Sequence, residues 1–176
     1  TVAPVPVVEV LVGAASTLRR FGSDSQKDQW LPGIASGTTL VSAALEEYNN
    51  DDPTSPACTG NKMDGGCAIS GTKICVSSAN AAARILLSAQ TEEGLIVVLV
   101  DPKAAGVTLH PQHVTSGETR YELVMDKVQV PTEDIVATAS EARSAMTWAL
   151  QETRTALSSM AVGVCDKMMR ITGQYT

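Results

Sequence analysis

Four cysteines (Cys58, Cys67, Cys75, Cys165) and two histidines (His110, His113) are the side chains here best suited to redox or metal chemistry. Their spacing supports neither. No two cysteines form a Cys-x-x-Cys pair, and Pro111 between the histidines argues against a shared helical face, so no tetrahedral metal set is expected. Four cysteines in 176 residues are too few for a disulfide scaffold and read as reduced thiols of a cytoplasmic protein. The acidic residues carry no chemistry by pattern alone. Glu46 reads as a charge on a strand edge, and Asp51-Asp52 as an acidic loop tip.

Composition narrows the classes further. The chain is 44% hydrophobic with a net charge of −6, and no basic stripe is present to meet a phosphate backbone, which disfavours nucleic acid, so no nucleic-acid partner is expected. The longest uncharged apolar run near the middle, Leu95–Val100, is far short of a membrane span. The apolar stretch from Val2 carries Pro4, Pro6 and Glu9 and has no basic flank, so neither a signal peptide nor a membrane anchor is expected.

Three zones must position whatever site exists. From Val5 onward, Val8, Leu11, Val12, Ala15 and Leu18 recur at helical steps. Gly22 stops that helix, and Ser23 caps a second one through Gln26 and Trp30, which Pro32 and Gly33 bend or end. Between Thr38 and Val130 short β segments alternate with turns: Thr39–Leu45, Cys67–Ile69, Lys73–Ser77, Arg84–Gln90, Leu95–Val100, Val107–Leu109 and Tyr121–Val130. The spacing predicts a sandwich or barrel, with a hairpin across Glu92-Glu93-Gly94. Past Thr138, Met146, Leu150, Thr153, Leu157, Met160, Val164, Met168 and Ile171 mark one long amphipathic helix. The rest of the chain cannot cover such a stripe. The expectation is therefore a β domain with helical stubs, the middle of something larger or a subunit that completes its core with another chain.

The order of motifs resembles the acyl-CoA dehydrogenase family over nearly all 176 residues. Phe21-Gly22-Ser23-Asp24-Ser25-Gln26-Lys27-Asp28-Gln29-Trp30-Leu31-Pro32, then Ala35-Ser36-Gly37, fills the family's aromatic-Gly-x-x-x-Gln-Lys-x-x-aromatic-Leu-Pro-x-x-Ala-x-Gly pattern. Leu45 and Glu47 stand where the family has Ala-Leu-Thr-Glu. Ile69-Ser70-Gly71-Thr72-Lys73 and Asp126-Lys127-Val128-Gln129-Val130-Pro131 match two further stretches, and Arg154, Gly163 and Tyr175 keep the family's helix spacing.

The resemblance implies an α+β fold: a β-barrel or sandwich middle domain (38–137) between the end of an N-terminal helical domain (1–37) and the first helix of a C-terminal bundle (138–176). It implies FAD and the α,β-dehydrogenation of an acyl-CoA thioester, β-oxidation chemistry in which flavin accepts a hydride and a carboxylate removes a proton. The family's catalytic glutamate is expected beyond this sequence. No residue here is assigned as catalytic, and the fragment alone is expected to be inactive. By position, Leu45, Glu46, Val76 and Ser77 are the FAD-contact residues.

Departures fall on those same positions. Glu46 replaces the flavin-bonding threonine, Asp51-Asp52-Pro53 replaces Gly-Ser-Asp, and Cys75-Val76-Ser77 replaces Trp-Ile-Thr. Carboxylates and a proline make a poor phosphate cradle. Three functions remain open. One is an FAD-dependent dehydrogenase subunit within a homo- or hetero-oligomer. The second is a non-flavin-binding partner subunit, as in actinobacterial enzymes acting on steroid side-chain CoA thioesters, where FAD is held mainly by the other subunit. The third is a β-barrel module that carries CoA esters without redox chemistry.

Overall fold

The computed structural model describes residues 7–174, so Val2, Pro4, Val5, Pro6 and Tyr175 lie outside the described residues. The first helix begins as a π-helix, Val8–Ala15, and runs directly into α1, Ser16–Phe21. π winding closes i→i+5 hydrogen bonds. Its buried side therefore includes Val8, Gly13 and Leu18 at five-residue steps, together with Val10 and Ala14. Leu11 is exposed, although α-helical spacing would have buried it.

Gly22 ends α1, and its N–H donates to Leu18 C=O. The second helix, α2, spans Asp24–Ser36. A reciprocal capping box opens it: the Gln26 N–H donates to Ser23 Oγ, and the Ser23 N–H donates to Gln26 Oε1. Pro32 does not end it: of the two outcomes expected at Pro32 and Gly33, a bend or an end, the end is ruled out, since the helix continues to Ser36. Trp30 and Ile34, on one face, are both buried, and Gly37 in the left-handed region caps the end five residues past the proline. Packing of that face outweighs the lost backbone bond.

Among the described residues, eight strands form one sheet. They are β1 Val41–Ala44, β2 Thr59–Met63, β3 Gly66–Ser77, β4 Arg84–Thr91, β5 Gly94–Val100, β6 Val107–Gln112, β7 Arg120–Pro131 and β8 Ile135–Thr138. The order is β6-β7-β3-β2-β4-β5-β8, with β1 parallel to β4 at its other end from β2. The β4–β5 hairpin turns where the sequence placed it. Sequence spacing split β3 into two segments at Ser70-Gly71. The strand instead runs through, with a register shift at that point against β7.

Alternation along β4 and β5 divides the interior in two. Ile85, Leu87, Ala89, Ile96, Val98 and Val100 point into the curve of the sheet with Ile69, Val76 and Leu123. Leu86, Leu95, Val97 and Leu99 point to the outer face, where the helices lie. The last helix, α3, spans Ala139–Thr172. It packs there through Ala142, Ala145, Met146 and Ala149, and beyond Thr153 its apolar residues Leu157, Met160, Val164, Met168 and Ile171 are exposed.

Gln26 also ties α2 to the far end of the sheet. Its Nε2 donates to Glu133 C=O at 2.8 Å and Ile135 C=O at 3.0 Å. Gln26→Glu keeps the shape but sets an oxygen against two carbonyls. It should lower unfolding stability by about 2–3 kcal/mol at neutral pH, measured by urea denaturation.

Candidate functional site

Beyond β1 the chain passes Leu45, Glu46 and Glu47 and crosses β3. The Ile74 N–H donates to Glu46 C=O at 3.0 Å, while the Glu46 carboxylate is exposed. Glu47 turns inward. Its carboxylate accepts from Lys73 Nζ at 2.7 Å, from the Ala57 N–H at 2.6 Å and from the Cys58 N–H at 3.1 Å. Both members of the ion pair are buried, with side chains 4% and 0% exposed. Burial alone raises the Glu47 carboxyl. The Lys73 hydrogen bond, the Ala57 amide, the Lys73 charge and the Cys58 amide together outweigh it and hold the group at about 2.

The loop from Asn50 to Cys58 follows from that carboxylate. Asn50 Oδ1 accepts the Asp52 N–H at 3.0 Å. Asp52 Oδ1 accepts the Thr54 N–H at 2.9 Å and the Thr54 hydroxyl at 2.8 Å, which hold the Asp52 carboxyl below its ordinary range. The Ser55 N–H donates to Asp52 C=O at 3.2 Å. Pro53 and Pro56, both buried, have no N–H to offer. An anion cradle needs several free N–H groups converging on one point. Here the amides of Asp52, Thr54, Ser55, Ala57 and Cys58 already serve acceptors within the protein, and two carboxylates face the solvent. These residues do not fit the pyrophosphate of a flavin dinucleotide.

The second group of positions lies on β3. Val76 is fully buried in the core and pairs with Tyr121. Ser77 is buried too, and its C=O accepts from Ser42 Oγ at 2.7 Å. Cys75 precedes them at a second register shift, in the left-handed region at φ 55°. Its N–H donates to Gln112 Oε1 at 2.8 Å, and its C=O accepts from Arg120 Nη1 at 3.1 Å. Burial, and the neighbouring Glu46 charge, raise its thiol above the ordinary range.

Of the four positions singled out by sequence, the structure brings Leu45 and Glu46 together with Cys75 around a concavity of about 170 Å³, which Glu9, Arg120 and Thr153 also line. Val76 and Ser77 are not in its lining. Local pattern carried no signal for Glu9 and Arg120, 111 residues apart. A larger cavity of about 550 Å³ lies at the other end of β3, by Gly66, Thr91 and Ile96, with the Lys62–Glu93 pair among its lining; Cys67 borders it, and none of the four flavin-contact positions does. Among the described residues, no group of three or more His, Cys, Asp or Glu side chains is placed to hold a metal ion, and no helix is long and apolar enough to cross a membrane.

No family model matches the chain. Known proteins do. Acyl-CoA dehydrogenase FadE28 of Mycobacterium tuberculosis is 31% identical over 170 residues, covering 97% of this chain and 46% of that protein. The solved Tcur3481-Tcur3483 steroid ACAD (G363A variant) superposes with a TM-score of 0.86 at 34% identity, over 98% of this chain and 45% of its own. The chain belongs to the acyl-CoA dehydrogenase family.

Two further solved structures are similar to the chain. The ChsE4-ChsE5 complex from M. tuberculosis matches at TM-score 0.73 and 25% identity, over 85% of this chain and 42% of its own. A glutaryl-CoA dehydrogenase from Mycobacterium smegmatis, in complex with FADH2, matches at TM-score 0.71 and 27% identity, over 79% and 37%. The chain spans less than half the length of these relatives.

Removing one partner of the Glu47–Lys73 pair strands the other in the core. Lys73→Met should cost about 3–5 kcal/mol of stability by urea denaturation. Adding Glu47→Leu should recover only part, because the Ala57 and Cys58 amides then lose their acceptor. The pH dependence follows the lowered Glu47 pKa. Its contribution is complete above the ordinary value of 4.5 and is lost as pH falls toward about 2. An acid titration of the Lys73→Met variant should lose that part of the pH dependence.

Proposed function

We propose that this chain is part of the supporting subunit of a heteromeric acyl-CoA dehydrogenase, in which FAD is held mainly by a partner subunit. The observation that carries this reading is the loop from Asn50 to Cys58. Its amides are engaged by Asn50, Asp52 and Glu47, and its tip carries two carboxylates where the family has small residues. A diphosphate placed there would meet like charge and few free donors, so binding would be repulsive. Similarity to the Tcur3481-Tcur3483 steroid enzyme and to the ChsE4-ChsE5 complex supports a two-component assembly. It also favours a CoA thioester with a steroid side chain as the substrate of the complex.

In this reading residues 1–37 end an N-terminal helical domain, 38–137 form the middle β domain, and 138–176 open the C-terminal bundle. The complex carries out α,β-dehydrogenation in the cytoplasm, with the catalytic carboxylate supplied outside this chain. Flavin, when bound in such an assembly, accepts the hydride. This chain's part is to hold the β scaffold rigid through Glu47 and Lys73 and to present its exposed α3 surface for assembly.

A second reading has one observation in its favour: Leu45 and Glu46 still border a concavity beside β3. There the chain would hold FAD itself, through Leu45, Glu46, Val76 and Ser77.

Absorbance of the desalted protein between roughly 300 and 550 nm separates the two, because flavin absorbs through that range and amino-acid side chains do not. The full-length protein purified alone should show no flavin bands, and its complex with the partner should carry one flavin per pair of subunits. Stoichiometric flavin in the lone protein would reject the supporting-subunit reading in favour of the second.

A further inference from the structure

The cavity of about 550 Å³ beside Gly66 is the mouth of the inner core. Cys67 and Ile96, both part of the core inside the curve of the sheet, form its floor with Ile135. The mouth exists because the sheet splits there. β2 and β4 run parallel and pair at one position, Thr59 against Gln90. Past that point β2 continues with β3 to the turn at Asp64-Gly65, and β4 continues with β5 to the turn at Glu92-Glu93. A Cβ on Gly60 would meet Thr91 Cγ2 at 3.0 Å and Ile96 Cδ1 at 3.2 Å, so the gap is closed at Gly60 and opens toward Met63.

Backbone, floor and charge each say what the gap accepts. The Gln90 N–H donates to Cys58 C=O at 2.8 Å, so the backbone groups of even-numbered residues in β2 face β4 and those of odd-numbered residues face β3. Lys62 therefore turns its N–H and C=O into the gap, where β4 has already ended at Thr91 and no strand lies beside β2. The floor is apolar, and Met63 at the rim is 41% exposed. Across the mouth Lys62 Nζ meets Glu93 Oε1 at 2.6 Å. A lysine on a strand edge discourages pairing by its charge, but Glu93 offsets that charge here. Asp64 and Glu92 remain at the two turns, exposed and without an ion-pair partner among the described residues. An incoming segment thus meets an unpaired strand edge, an apolar floor and net negative charge.

We propose that this gap is a docking site for an extended, basic segment of a partner polypeptide, which adds a strand beside β2. The residue of that segment opposite Lys62 exchanges both backbone hydrogen bonds with it. Its side chain, on the same face, covers Cys67, Ile96 and Ile135, and lysine or arginine neighbours meet Asp64 and Glu92. The volume lies within the range of roughly 300–1,000 Å³ in which sites enclose their ligands, room for a few residues. A small organic cation would use the floor and the carboxylates but not the backbone of Lys62, and this separates the two occupants. The site is at the opposite end of β3 from Cys75, and it does not rest on which subunit holds flavin.

The test is fluorescence anisotropy of a labelled Val-Lys-Val-Lys-Val peptide titrated with the full-length protein. Saturable binding is expected below roughly 1 mM, about tenfold weaker for Val-Glu-Val-Glu-Val, and weakened by salt. Lys62→Pro removes the N–H that faces the gap and spares the pairing with β3, which does not use it. It should lower the affinity about tenfold relative to Lys62→Ala, which loses the same charge but keeps the N–H. Asp64→Asn combined with Glu92→Gln should erase the preference for the basic peptide. If circular dichroism shows Lys62→Pro unfolded, the basic peptide N-methylated at its valines takes its place, since it cannot donate to the Lys62 C=O and should bind about tenfold more weakly. Absence of binding at 1 mM, equal affinity for Lys62→Pro and Lys62→Ala when both are folded, or equal binding of the acidic peptide overturns the proposal.

Discussion

The Glu47–Lys73 ion pair closes a circuit on which the middle of the molecule depends. Glu47 follows β1, and its carboxylate takes both Lys73 Nζ and the Cys58 N–H. Cys58 in turn lies so close to Gly71 that a Cβ there would sit 2.5 Å from its sulfur. Gly71 is at φ 138°, and its lack of a side chain lets β3 bend past Cys58 at the register shift. Two residues later β3 delivers Lys73 back to Glu47. Taking two charges out of water costs several kcal/mol each, and such a pair persists only when the geometry is close and the remaining lone pairs are met. Three backbone and side-chain donors besides Lys73 meet that condition at Glu47.

Parts of this were legible in the sequence for definite reasons. The capping box at Ser23 and Gln26 is local chemistry, readable from spacing alone. The β4–β5 hairpin was legible because both strands are apolar on both faces, as a strand sandwiched between helices and an inner core must be. Glu47 and Lys73 were picked out through family motifs, but nothing local says that they meet across 26 residues. β2, Thr59–Met63, escaped notice because only Gly60 of its five residues is buried, which leaves no apolar alternation to see. β8, Ile135–Thr138, is four residues long and pairs only with β5. The π winding of the first helix is invisible to any argument that assumes 3.6 residues per turn.

The same distinction explains the site. Departures from the family at Glu46, Asp51-Asp52-Pro53 and Cys75 were visible as residue types. Their effect was not, because it depends on where backbone amides and guanidinium groups go. Pro53 is not merely a missing donor: its C=O accepts from Ser88 Oγ at 2.7 Å, which fastens the loop to β4. The acidic tip is therefore held in place by the sheet and is not free to fold away from an incoming anion. A loop of this composition that floated free could rearrange around a phosphate, whereas one anchored at Glu47, Ser88 and Asp52 would have to break those bonds first.

Rigidity here and openness at α3 belong to one arrangement. The sheet's outer face is covered by small residues of α3, Ala142, Ala145 and Ala149, which bring the helix axis close over β5. Past Thr153 the helix leaves that cover, and large side chains replace small ones: Leu157, Met160, Val164, Met168 and Ile171 all stand exposed. Small residues suit a close, fixed contact, and large flexible ones, Met above all, suit a surface completed by other helices. Arg120 and Glu9 sit where these two regimes meet, because Leu157 and Thr153 line the same concavity. Thr153 and Leu157 stand one turn of helix apart, so the exposed part of α3 begins at the wall of that concavity.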